Sequence, residues 1–271
     1  MNAPAPDIAK IASLAMYDGG ELTPANDGLW LHVSERLRAH GISGVPPHLD
    51  RESPLDTIWD GRLLFGQTCG YPFISRLSGA LQIVGAPVYD LPGCRDATHR
   101  SFIVVHTASR IRRLEDLAGT RAVINEPESN SGRNLFGHAL AIAGARFPFF
   151  SKVTVSGSHL QSLTAVAWGE SDAAAIDCVS HAHLVRLHPY LKVATRILHE
   201  TAPAPTLPFV TARENDTELV LAAVREALAD PSTESARRSL RLARVESIAA
   251  RAYEITREFS ERADQVFGAR P

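Results

Sequence analysis

Short apolar runs alternate along the chain with polar breaks and with longer stretches whose apolar positions recur at helical spacing. The run "KIASLAMY" (10–17) reads as a buried strand. "PANDGLWLHVSERLRAHG" follows as a helix, with Thr23 placed to cap it, Pro24 in its first turn and Gly41 past its end. Leu29, Val33 and Leu37 line its apolar face. "RLLFGQ" (62–67) and "LQIVGAPVY" (81–89) are two more strands, and the turn-rich "DLPGCRDAT" (90–98) interrupts the series.

A second strand–helix series then starts. The pattern predicts strands at 101–107, 121–125, 150–156, 172–177 and 191–200. Helices fall between them: a short one in "RLEDLAGT" ending at Gly119, then 131–144, 158–168 ending at Gly169, and 178–188. After "TAPAPTLPFVTA" the chain turns helical over roughly 215–229 and 245–265, the latter with Ile248, Ala252, Ile255 and Phe259 on one stripe. Such alternation implies a mostly parallel sheet covered on both faces. The breaks near 90–100 and 200–206 divide it into two α/β lobes, 1–98 plus 203–271 and 99–202, with the C-terminal helices completing the first.

Composition narrows the function. The chain has 271 residues, 45% hydrophobic and 21% charged, and a net charge of −2. No broad attraction to nucleic acid or an anionic membrane follows from that balance. The basic stretch "RRSLRLARVESIAARAYEITREF" reads as a solvated helix face. No apolar run reaches the length of a membrane span, so no membrane insertion is expected. Cys69, Cys94 and Cys178 lie far apart, with no C-x-x-C pair and no His/Cys cluster at zinc spacing. This sparse, odd set argues against a disulfide scaffold, and neither metal nor cofactor is expected. With no leader pattern in "MNAPAPDIAKIASLAMYDGG", the chain as written reads as cytoplasmic, and as periplasmic if a cleaved leader precedes it.

Ligands of open α/β sheets bind beyond the carboxyl ends of the strands. Five such ends are rich in polar groups: Tyr17-Asp18-Gly19-Gly20, Gln67-Thr68-Cys69-Gly70-Tyr71, "NEPESNSGRN" (125–134), Ser156-Gly157-Ser158-His159, and Asp177-Cys178. A helix starting near Ser131 leaves backbone N–H groups unpaired, and the partial positive charge there favours an anion. Ser129, Asn130 and Ser131 add side-chain donors, and Gly132 lets a ligand approach the backbone. The same residues would serve as helix caps, as would His159 and Asp177 at theirs. Tyr17 reads equally as a core aromatic with a solvated hydroxyl. No G-x-x-x-x-G-K-[ST] loop is present.

"RLEDLAGTRAVINEPESNSGRN" and "GSHLQSLTAVAWGESDAAAID" resemble, in order and spacing, two segments of phosphate/phosphonate-type ABC-transporter substrate-binding proteins. With "SFIVVHT" and "APAPTLPFVTA", the likeness covers most of 10–212. It implies a type II periplasmic-binding-protein fold, two α/β lobes that close on a small oxyanion such as phosphate, phosphite or a phosphonate in the cleft between them. It further implies that Ser129–Gly132 hold the oxyanion and that His159 donates to it. Asp177 would meet a positive or hydroxyl part of the ligand, Thr68 and Cys69 would close over it, and Tyr17 would form a wall. An ABC permease would be the partner of an exported chain. Relatives often carry an aromatic pair just before the strand entering the second lobe. Here that place reads Thr98-His99-Arg100, where Arg100 could pair with an anion.

Two other functions fit the same fold. Cytoplasmic enzymes of menaquinone and thiamine-pyrimidine biosynthesis share it, in which case His159 would be a general base or Cys69 a nucleophile. A ligand-sensing domain acting on a partner protein is the other, although no output module such as a helix-turn-helix is evident.

Overall fold

The computed structural model describes residues 10–59 and 62–269. The first nine residues, on which the expectation of no leader rests, lie outside them. The chain forms two compact units, and each is woven from three segments. The first comprises residues up to 69, Ser75–Asp90 and Thr206–Ala250. The second comprises Gly70–Ile74, Leu91–Pro205 and the residues from Arg251 on.

The first unit is built on a five-stranded sheet in the order Ile11–Ser13, Leu63–Gln67, Phe209–Ala212, Leu81–Tyr89, Leu242–Glu246. Only the first pair is parallel. Phe209–Ala212 runs antiparallel to both of its neighbours, and Leu242–Glu246 is antiparallel to Leu81–Tyr89. The helix Thr23–Ala39 buries Leu29, Trp30, Val33 and Leu37. These recur at helical spacing, and Trp30 stacks on Phe65 with ring centroids 6.1 Å apart. The same helix packs on Thr217–Ala229 and Glu234–Leu240.

The second unit holds the sheet Lys152–Val155, Arg121–Ile124, Ala173–Asp177, Ser101–His106, Thr195–Glu200. Its first three strands are mutually parallel and its last two pairings antiparallel. The central strand "AAAID" is buried at every position, so small side chains suit it. Ile103, Val105, Phe136, Leu140, Ala173 and Val266 share one core.

Several expectations need correction. Both sheets are mixed rather than mostly parallel, because strand–helix–strand units supply only the parallel part. Thr23 does not cap its helix. A 3-10 turn, Gly20–Leu22, runs directly into it, and the Thr23 hydroxyl donates to Asp18 Oδ1 at 3.2 Å. Residues 191–194 belong to a short helix, Pro189–Ala194, started by its proline, and the strand begins at Thr195. The stretch 245–265 is not one helix. It ends the strand Leu242–Glu246, passes a 3-10 turn at Ala250–Glu254, and becomes helical only over Ile255–Phe267. That later start moves the buried stripe to Thr256, Phe259, Ser260, Ala263 and Val266, and Ile255 is exposed.

The last helix also belongs elsewhere than expected. It packs against Leu135–Ile142 in the second unit rather than completing the first. Gly137 is the reason the two helices approach so closely, since an added Cβ would lie 2.5 Å from Ala263 Cα. Beside it Arg133, almost fully buried, donates to Asp264 Oδ1 at 2.7 Å and to the Gly268 carbonyl at 3.0 Å. Gly137→Ala is therefore expected to destabilise the second unit by about 2 kcal/mol, the cost of overpacking. Gly79→Ala, whose Cβ would meet open space, should stay within ~0.5 kcal/mol. Urea unfolding of the two variants checks this, and equal midpoints would refute it.

Candidate functional site

Strand order decides which of the polar strand ends become neighbours. In the second unit the parallel strands ending at Val155, Ile124 and Asp177 lie side by side. Their carboxyl ends therefore share one edge of the sheet, and the junctions at Ser156, Asn125 and Asp177 share it with them. Backbone bonds tie two of the ends together: Ser156 donates to the Ile124 carbonyl at 2.9 Å and Gly157 to that of Asn125 at 2.8 Å.

At the middle end, Ser129 is the N-cap. Its hydroxyl accepts the Gly132 amide at 2.9 Å, and its carbonyl accepts the amides of Arg133 and Asn134. The first turn, Asn130–Asn134, is wound more widely than an α-helix and continues into Leu135–Ile142. Ser129, Asn130 and Ser131 are all buried. The amides of Asn130 and Ser131 find no acceptor among the described residues, as the opening of a helix requires. Gly132 has a reason for being glycine other than the expected approach of a ligand. The Asn125 side chain lies over it, and an added Cβ would come within 1.7 Å of Asn125 Oδ1.

The next end brings in His159. Ser158 caps its helix, accepting from Gln161 at 3.2 Å. His159 Nε2 lies 3.0 Å from Ser131 Oγ, so the two polar stretches meet in a hydrogen bond. Burial of the ring pushes its pKa down to about 4, against the pull of Asp177, and it is neutral at pH 7. Its Nδ1 is buried and has no partner among the described residues. With the proton on Nε2 the ring donates to Ser131, whose own hydroxyl hydrogen then points elsewhere.

The third end is charged. Asp177 and His99 are each about 1% exposed, and their Oδ1 and Nδ1 are 2.6 Å apart. Asp177 Oδ2 also accepts the Ser180 amide at 2.8 Å, so it caps the following helix. Burial opposes its charge. The His99 hydrogen bond and charge, the field of His159 and the Ser180 amide overcome that and hold the carboxyl at about 2. Burial likewise opposes a charge on His99, and Asp177 raises its pKa despite this. The expectation that Asp177 faces a ligand meets a carboxylate already engaged within the protein. Arg100, half-buried, donates to the Thr201 carbonyl. His99, Asp177 and Cys178 bring donor atoms within 4.8 Å of one another, but the His99–Asp177 bond and a Cys94–Cys178 contact use those groups.

The remaining candidates are placed separately. Gln67, buried in the first unit, donates from Nε2 to Tyr89 Oη at 3.2 Å and to the Leu207 carbonyl at 3.0 Å. Tyr17 packs edge-on against Tyr89 at 5.6 Å, as a core-edge aromatic. Thr68 is buried, with its amide on the Pro208 carbonyl, and Cys69 is half-buried and not in a disulfide. Tyr71 is half-buried in the Gly70–Ile74 segment of the second unit. Sequence reading passed over Asn125 and Tyr89. Asn125 is the last polar residue before the loop, and its role needs Gly132 as a neighbour in space. Tyr89 shares no sequence pattern with Gln67.

The charged pair generates a pH dependence. A carboxyl held below its ordinary value stabilises the fold above about pH 4, and this is lost as pH falls through the folded value. An imidazole raised above its ordinary value stabilises below about pH 6.5, and this is lost as pH rises. The wild-type advantage over Asp177→Asn is thus expected to be greatest between roughly pH 4 and 6.5, at ~2 kcal/mol or more, and to shrink on both sides. Urea unfolding of both proteins from pH 3 to 9 measures it; a constant difference would refute it.

Comparison with known proteins identifies the fold and the family. The profile of the family described as the periplasmic substrate-binding protein of phosphonate ABC transporters matches residues 63–253. No curated protein matches the chain. Among solved structures, PhnD1 of Prochlorococcus marinus in complex with methylphosphonate is 16% identical with a TM-score of 0.70, covering 97% of this chain and 100% of its own. The Xanthomonas citri protein XAC2383 bound to chloride is also 16% identical with a TM-score of 0.70, covering 94% and 97%. A binding protein component of an ABC phosphonate transporter from Pseudomonas aeruginosa is 16% identical with a TM-score of 0.67, covering 94% and 87%. At these identities the structures show the fold, which is that of type II periplasmic binding proteins, and the profile shows the family. The chain belongs to the family of periplasmic substrate-binding proteins of phosphonate ABC transporters.

Proposed function

We propose that this protein binds a small phosphorus oxyanion, a phosphonate or inorganic phosphate or phosphite, at the opening of the Asn130–Ile142 helical segment. The observation that carries the reading is the hydrogen bond between Ser131 and a neutral His159 beside two unpaired backbone amides. Amide N–H groups at a helix start suit an anion because their dipoles point towards it. Ser131 adds a directional hydroxyl donor, freed and oriented by the Nε2–H that His159 gives it, and none of these groups breaks a bond. The family is one of solute-binding proteins, so His159 as a general base and Cys69 as a nucleophile find no support there. No helix among the described residues is long and apolar enough to cross a membrane. We place the protein's work in the periplasm with its family, delivering ligand to an ABC permease.

The test is thermal unfolding against methylphosphonate, phosphate and phosphite, with sulfate and carboxylates as controls. A phosphorus oxyanion that binds the native state raises the midpoint with concentration. Ser131→Ala should weaken that ligand by about 1–3 kcal/mol, the scale of a hydrogen bond to a charged group, in a variant that still folds but with a lowered unliganded midpoint, since His159 loses its partner. Calorimetric titration of the variant measures it. An unaltered affinity would remove this loop from the site, and no midpoint shift with any phosphorus oxyanion would remove the ligand class.

A further inference from the structure

Two cysteines that the binding site leaves unused have been brought together by the fold. Cys94 and Cys178 are 84 positions apart in sequence, yet their sulfur atoms are 3.5 Å apart. Both are free, and both belong to the second unit.

Backbone on each side fixes the approach. The Cys94 amide donates to the Leu91 carbonyl at 3.0 Å, and the turn that follows is closed by two bonds of 3.0 Å between Arg95 and Thr98. The chain then enters the strand Ser101–His106, where Ser101 pairs with Asp177, and the Cys178 amide donates to the Arg100 carbonyl at 3.0 Å. Gly93, at φ +88°, presses against the same spot. An added Cβ there would stand 2.8 Å from Cys178 Cβ and 2.9 Å from Phe102 Cζ. The two side chains thus meet within a frame of hydrogen bonds, and joining them requires the sulfurs to close by about 1.5 Å, to the ~2.05 Å of a disulfide. Cys94 is half-buried and lies outside the strands, so it is the side chain placed to make that adjustment.

We propose that Cys94 and Cys178 form a reversible internal disulfide when the protein meets a small disulfide oxidant such as oxidised glutathione. Cys94 is the half-buried thiol and reacts first. It gives its proton to water, and its sulfur attacks one sulfur of the oxidant. The oxidant's S–S bond breaks, and one thiolate leaves and takes up a proton. The Cys178 sulfur then attacks the Cys94 sulfur, the bond to the second small sulfur breaks, and the Cys178 proton passes to that departing thiolate, which leaves as a thiol. Two protein thiols and one small disulfide become one protein disulfide and two small thiols, so two electrons pass from the protein to the oxidant. The Cys94 contact and burial both keep the Cys178 thiol protonated beforehand, so it is Cys94 rather than Cys178 that meets the oxidant first. The bond fastens the Leu91–Thr98 turn to the first turn of the helix Cys178–Leu187, next to Asp177, which caps that helix and holds His99.

The full chain is incubated with oxidised glutathione, unfolded in acidic urea so that buried thiols react, alkylated with iodoacetamide, and digested for mass spectrometry. The expected result is a peptide pair cross-linked through Cys94 and Cys178 that dithiothreitol converts back to two alkylatable cysteines. Cys94→Ser should abolish the cross-link and leave Cys178 alkylated. Recovery of both cysteines in alkylated form after oxidation would overturn the proposal. So would a Cys94–glutathione adduct as the end product with Cys178 alkylated, or a cross-link through Cys69.

Discussion

Asp177 is a carboxylate with almost no access to water, and its charge must be balanced from within the protein. An unpaired buried charge is among the costliest features a fold can carry. Here the two oxygens are divided. One takes His99 and the other takes the Ser180 amide in the first turn of the next helix. That single residue therefore ends the central strand, starts a helix, and fixes the chain at 98–100 before the antiparallel strand leaves. It also shapes the field around His159, which burial keeps neutral despite the nearby negative charge. The polar edge of the second sheet is organised around this pair.

Much of the fold could be read from the chain because strand–helix repeats write their period locally. The runs at 81–89, 101–107, 121–125 and 172–177 all fall on strands, and the helices after them open at residues able to cap, Ser129, Ser158 and Asp177. What stayed hidden depends on partners distant in sequence. The strand Leu242–Glu246 exists because Leu81–Tyr89 offers it an edge, and its own residues "LARVE" carry no clean alternation. The final helix follows the second unit because Gly137 gives Ala263 room, which no pattern within 255–267 reveals.

The candidate site divides the same way. Caps, small polar residues and strand ends are short-range features, so Ser129–Gly132, His159 and Asp177 stood out singly. Their relations did not. That Ser131 meets His159, that Asp177 is consumed by His99, and that Gly132 is roofed by Asn125 all follow from strand order. The cysteines are the clearest case. Their wide spacing argues against pairing by any local rule, while the pairing of Ser101 with Asp177 brings them into contact.

The nearby cations are already committed, and this bears on how an anion would be chosen. Arg133 follows directly after Gly132, yet its guanidinium is held by Asp264 and the Gly268 carbonyl and lies over the Phe267 ring. Arg100 reaches the Thr201 carbonyl. What the helix opening presents is amide dipoles and a hydroxyl held by an uncharged imidazole. On the proposed reading, attraction would then depend on the direction and number of hydrogen bonds rather than on net charge. Such a site would favour oxyanions that turn unprotonated oxygens to its donors, because a charged oxygen is the stronger acceptor. A salt-bridged site would depend more on the anion's charge, so on the same reading the neutrality of His159 would be part of the selectivity.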